Sequence, residues 1–130
     1  MESKFEQLKY YLISLGYQIS SENAAEELVV INDEDKGISN LIIDCEAPVV
    51  IFEQFIGSVK SDSTETYKKL LQINRELVQG AFVLGEENNN LFYRNTLMLE
   101  NLDMNEVEGS ISGLSLAMAE YGEFLLKICK

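Results

Sequence analysis

Carboxylates are the reactive groups this sequence supplies in quantity, and one set of them has a spacing that could bind metal. Asp33, Asp35 and Asp44 fall at positions one, three and twelve of a would-be calcium loop. The pattern breaks between them: position five is Gly37, position six is Ile38 where the loop needs glycine, and positions nine to eleven enter a strand. Glu86 and Glu87 make a second acidic pair beside Asn88, Asn89 and Asn90 in a hairpin turn. Both clusters read as solvated turns that keep strand ends soluble. Histidine is absent, which removes the side chain best suited to proton transfer near neutral pH and the commonest metal ligand. Cys45 and Cys129 form no Cys-x-x-Cys pair and have no neighbouring base, so neither reads as a nucleophile. No glycine-rich phosphate loop is present. These residues assign no catalytic, cofactor-binding or metal-binding position and imply no cofactor. An enzyme working with carboxylates alone stays open as a third class behind binding and regulation.

The balance of charge narrows the partners. The 130 residues carry 22 acidic against 10 basic side chains, a net charge of −12, with the basic ones scattered. That argues against nucleic acid and anionic membranes. It leaves two readings, a basic or positively flanked partner, or solubility through self-repulsion. Two cysteines make no disulfide framework and read as free thiols in a reducing compartment. The opening Met1-Glu2-Ser3-Lys4 has no apolar secretory core, and no apolar run approaches the roughly 20 residues that span a bilayer. The expectation is a cytoplasmic protein.

The elements that must position any site follow from period and punctuation. Helix signals cover residues 3–15, with Ser3 and Glu6 as a capping box and Gly16 as terminator, and about 63–78, with Asp62 and Glu65 as a second box and Gly80 beyond. The third runs from Met104 to Ile128. Its apolar positions Met104, Val107, Ile111, Leu114, Met118, Tyr121, Leu125 and Ile128 alternate gaps of three and four, and Asp103 with Glu106 forms its capping box. Segments rich in Val, Ile and Phe at Leu28–Ile31, Ile38–Cys45 and Val49–Ile56 predict an antiparallel meander, and Ala81–Leu84 with Leu91–Leu99 a hairpin. A short strand could also begin near Tyr17–Ile19. The fold class is α+β: an antiparallel sheet of about five strands with helices, in the order α-β-β-β-α-β-β-α, over residues 1–130 as one domain.

Two features bear on binding. In Val49–Ile56 both alternating sets are apolar, with Val49, Ile51 and Phe55 opposed by Val50, Phe52 and Ile56. A half-solvated antiparallel strand alternates more cleanly. Either the helices sandwich the sheet, or they cover one face and leave the other to a second protomer or a peptide. Val50, Phe52 and Ile56 are the expected partner-binding or dimer surface. Gly109, Gly113 and Ala117 recur every four residues in the last helix and imply a close neighbour, either the sheet beneath or a second copy.

The segments Phe5–Leu15, Leu28–Ile56, Tyr67–Val78, Ala81–Leu99 and Asp103–Ile128, in that order and in so acidic a chain, resemble the YbjN-like family of bacterial sensory transduction regulators, with its type III secretion chaperone-like (Tir-chaperone-like) fold. The resemblance implies a non-enzymatic, commonly dimeric protein that holds a protein or peptide partner against an apolar surface. It equally allows a regulator in signalling or stress control that never holds unfolded substrate. It transfers no role to an individual residue.

Overall fold

The computed structural model describes residues 3–129; Met1, Glu2 and Lys130 lie outside them. Helix α1 (Lys4–Ser14) is followed by strands β1 (Ile19–Asn23), β2 (Leu28–Asp33), β3 (Ile38–Glu46) and β4 (Val49–Ser58). Then come helix α2 (Thr64–Glu76), strands β5 (Ala81–Leu84) and β6 (Asn90–Met98), and helix α3 (Met104–Ile128). The strands form one six-stranded sheet in the order β1-β2-β3-β4-β6-β5, every pair antiparallel. The α+β class and the meander agree with expectation, and the strand count is six rather than five. The extra strand, β1, reads Ile-Ser-Ser-Glu-Asn and is exposed along nearly its whole length, so it has no apolar alternation to announce it.

The helix ends show how local chemistry sets the boundaries. Asp103 accepts from the Glu106 N–H (2.8 Å) while Glu106 accepts from the Asp103 N–H (3.3 Å), a complete capping box. Ser3 accepts from the Glu6 N–H, and α1 ends at Gly16, whose φ of +94° suits glycine. The cap of α2 is Ser63, which accepts from Thr66; Asp62 instead accepts from the Tyr67 hydroxyl at 2.8 Å. The expected Asp62–Glu65 box is therefore corrected by one residue, because Ser63 offers an equally good acceptor one position nearer the helix.

All three helices lie on one face of the sheet. α3 buries Val107, Ile111, Leu114, Ala117, Leu125 and Ile128, and α1 buries Phe5, Leu8 and Leu12. Beneath them the sheet contributes Val29, Ile31, Leu41, Ile43, Val50, Phe52, Leu91 and Tyr93. α2 sits at the β5 edge of the same face. Its Asn74 side chain accepts from the Phe82 N–H (2.8 Å) and donates to the Phe82 carbonyl (3.0 Å). That satisfies the outer edge of the sheet and blocks strand addition there. One polar side chain, Gln54, is buried in the core face. It accepts from the Ser39 N–H and donates to the Gly37 carbonyl, which ties the β2–β3 turn to β4.

Candidate functional site

With the helices on one side, side-chain alternation assigns every strand residue to a covered or an open face. The covered set of β4 is Val50, Phe52 and Gln54; the open set is Val49, Ile51, Glu53 and Phe55. Ladder pairing carries the open set across the sheet in rows. One row is Leu28, Asp44, Ile51 and Thr96; the next is Val30, Ile42, Glu53 and Arg94. Phe55 pairs with Phe92, which pairs with Val83, and Val49 pairs with both Glu46 and Met98. Among the described residues no helix covers this face. Ile42, Phe55 and Met98 are 40%, 54% and 56% exposed, and the Phe55 and Phe92 rings meet edge to face, centroids 5.7 Å apart. Apolar side chains thus line the uncovered face on either side of the Glu53–Arg94 pair, an exposure of the kind soluble proteins otherwise cover.

The residues expected to form the partner surface sit differently. Val50 (0% exposed) and Phe52 (1%) are core residues beneath the helices, and Ile56 is half-buried against the same core after a bulge between Phe55 and Gly57. Of the two arrangements left open by the sequence, helices on both faces or on one, the structure has the second, and Val50, Phe52 and Ile56 belong to the covered face, not the open one. The three helices take the even-numbered set because Ile43 and Cys45 of β3 and Leu97 of β6 extend that face beyond β4.

At one corner the open face turns acidic. Asp44 lies between Leu28 and Ile51, Glu46 is its neighbour on the same face, and Glu26 and Glu27 close the β1–β2 turn alongside. The Cys45 N–H donates to the Glu27 carbonyl at 2.9 Å, holding that turn against the end of β3. Burial, then the Glu46 and Glu26 carboxylates, push Asp44 above the ordinary carboxylate range, and its Oδ1 is buried without a hydrogen-bond partner. A carboxyl raised in the folded state holds its proton more tightly there than in the unfolded chain. Stability is therefore lost as pH rises from the unfolded value through the raised one. Asp44→Asn should raise the melting temperature at neutral pH, with the gain vanishing below pH 3.8. Calorimetry at the two pH values checks this. Equal melting temperatures at neutral pH would show that Asp44 is not under strain.

The remaining candidates sort as follows. Cys45 is buried, and burial, then Glu27 and Asp44, push its thiol up to about 11, which keeps it protonated and unreactive at neutral pH. Cys129 is raised by burial against the opposing Lys60 charge. Among the described residues no three His, Cys, Asp or Glu side chains converge as metal ligands would, and Asp33 pairs with Lys36. The small-residue stripe of α3 has an internal partner: a Cβ at Gly113 would lie 2.7 Å from Gln79 Cβ and 3.3 Å from the Tyr93 hydroxyl. The close neighbour is the segment after α2 together with the sheet. Sequence reasoning missed Asp44 as part of a surface. The available signal was a lone carboxylate within the apolar run from Leu41 to Cys45.

The family model CesT_Tir_1 matches residues 1–130, the whole chain. The chain belongs to the CesT_Tir_1 family. Solved structures agree at the level of fold. YbjN from E. coli, a candidate transcription regulator, superposes with a TM-score of 0.70 at 15% identity over 92% of both chains. The HopA1–SchA chaperone–effector complex gives 0.68 at 12% identity over 91% of both. The ExsC–ExsE complex gives 0.64 at 12% identity, covering 96% of this chain and 92% of that one. At such identities the likeness shows the fold, which is the YbjN-like, type III secretion chaperone-like fold, and assigns no residue a role. Comparison with curated proteins returns no match. No helix among the described residues is long and apolar enough to cross a membrane.

Proposed function

We propose that this protein is a non-enzymatic binding module that receives a protein or peptide partner on the open face of its sheet. The observation that carries the reading is the uncovered apolar rows around Ile42, Ile51, Phe55 and Phe92. Family membership and the fold shared with a chaperone–effector complex support it. Affinity capture from the native host's lysate, read by mass spectrometry, tests it with Ile42→Asp/Phe55→Asp as control bait. A partner enriched by the parent chain and reduced more than about tenfold with the control, while the control keeps its circular dichroism, is the expected result. Equal capture by both baits would remove the open face from the account. Phe52→Asp is unsuitable as a control because Phe52 is core and its substitution tests folding.

The likeness to YbjN favours a second reading, a regulator that engages a folded partner through the same face. Limited proteolysis of the captured partner separates the two. A partner segment that is cleaved when free and protected when bound marks a chaperone; a partner equally resistant in both states marks a regulator.

A homodimer belongs to the proposal as well. Leu71, Val78 and Leu84 are exposed along α2, the segment after it and β5, away from the open face, and would serve as its surface. Light scattering should give twice the chain mass of 14.7 kDa. A mass of one chain at high micromolar concentration would refute the dimer.

A further inference from the structure

Resting on the reading that the open face receives a partner, we propose that the partner segment is cationic beside its apolar stretch, with lysine or arginine side chains seated on the corner formed by Glu26, Asp44 and Glu46. Two of its carboxylates stand on the sheet itself, and Glu26 joins them from the β1–β2 turn. Asp44 stands in the ladder row between Leu28 and Ile51, and Glu46 stands opposite Val49. A segment covering Leu28 and Ile51 passes over or ends beside Asp44.

Three observations select a cation. The centre of the same face shows what happens to a carboxylate when a cation is within reach: Glu53 pairs with Arg94 at 2.7 Å. The corner has no such provision, since none of its three carboxylates joins an ion pair among the described residues, while Lys9, Lys36 and Arg94 are paired elsewhere. Burial, then the Glu46 and Glu26 carboxylates, push Asp44 above the ordinary carboxylate range, so an arriving ammonium or guanidinium would relieve like-charge repulsion at the corner. The third is the charge of the whole chain. A basic segment is the electrostatic complement of a chain whose net charge is −12.

The test titrates the full chain with two labelled synthetic peptides that share one short apolar stretch. One ends in a run of lysines, the other in a run of glutamates. The lysine peptide should bind at least about tenfold more tightly, and its affinity should fall with added salt. The corner variant Glu26→Gln/Asp44→Asn/Glu46→Gln should erase that preference with native circular dichroism. A remote variant with the same change in charge, Glu86→Gln/Glu87→Gln/Glu120→Gln, should keep it. The exposed turn variant Glu26→Gln, which leaves the strands untouched, should weaken it in part.

A preference that survives the corner variant, or that falls equally in the remote variant, overturns the proposal, because net charge alone would then explain it. Equal binding of both peptides, abolished by Ile42→Asp/Phe55→Asp, also overturns the cationic chemistry while leaving the face as a binding surface. Binding of neither peptide, with a lysate partner still captured through the open face, overturns it too. Failure of that capture as well would take the underlying reading with it.

Discussion

A chain carrying Leu114→Asp is expected to be unfolded at room temperature, without a cooperative thermal transition. Leu114 is fully buried at the middle of α3, between Val107 and Ile111 on one side and Leu125 and Ile128 on the other. Emptying such a site of leucine alone costs about 2–5 kcal/mol. A carboxylate placed there has no cation to meet and adds several kcal/mol of desolvation. The sum is of the order of the 5–15 kcal/mol that holds a typical domain together. Leu116, two positions along the same helix, is 64% exposed, and Leu116→Asp should fold normally. Circular dichroism of the pair decides the matter. A native spectrum from the Leu114 variant would mean that the helix stripe is not what holds α3 to the sheet.

Gly113→Ala should destabilise the protein by about 1–3 kcal/mol, although alanine is the better helix former by about 1 kcal/mol. The new methyl would lie 2.7 Å from Gln79 Cβ, and Gln79 cannot readily withdraw. Its carbonyl accepts from the Tyr93 hydroxyl at 2.7 Å and its side-chain oxygen accepts from Asn95 at 3.0 Å. Asn95 in turn donates to Ser110 of α3 at 2.6 Å, so the segment after α2 is bonded to the sheet, and the sheet to α3, at the level of Gly113. Gly109→Ala, where the nearest atom is 3.9 Å away, should instead gain up to about 1 kcal/mol. Opposite signs from two glycines four residues apart, read by denaturant unfolding, would show that packing and not propensity sets their identity. Stabilisation by both would show that Gln79 moves aside.

These contrasts mark what each level of description contributes. Periodicity and caps placed α3 with its correct ends, since a 3.6-residue stripe and the Asp103–Glu106 box are local facts written in adjacent residues. The strands from Leu28 to Ile56 and from Ala81 to Leu99 were legible for the same reason, as β-branched and aromatic runs between turn residues. β1 was legible only at its first residue, Ile19, where the short strand expected at Tyr17–Ile19 meets it, because a polar edge strand owes its conformation to pairing with β2 and not to its own side chains.

The surface was half legible. Two apolar sets on β4 announced that both faces of the strand need cover, yet alternation is symmetric: it separates Val50, Phe52 and Ile56 from Val49, Ile51 and Phe55 without saying which set the helices take. That choice depends on the neighbouring strands, whose ladder pairs put Ile43, Cys45 and Leu97 beside the even-numbered set and so widen that face for the helices. The acidic corner is beyond sequence reasoning for a related cause. Glu26 and Asp44 are eighteen positions apart and become neighbours only when β2 pairs with β3. Local spacing thus determined the elements other than β1, and composition the absence of histidine and the acidic character of the chain. Long-range pairing decided which apolar side chains face outward and which carboxylates stand beside them.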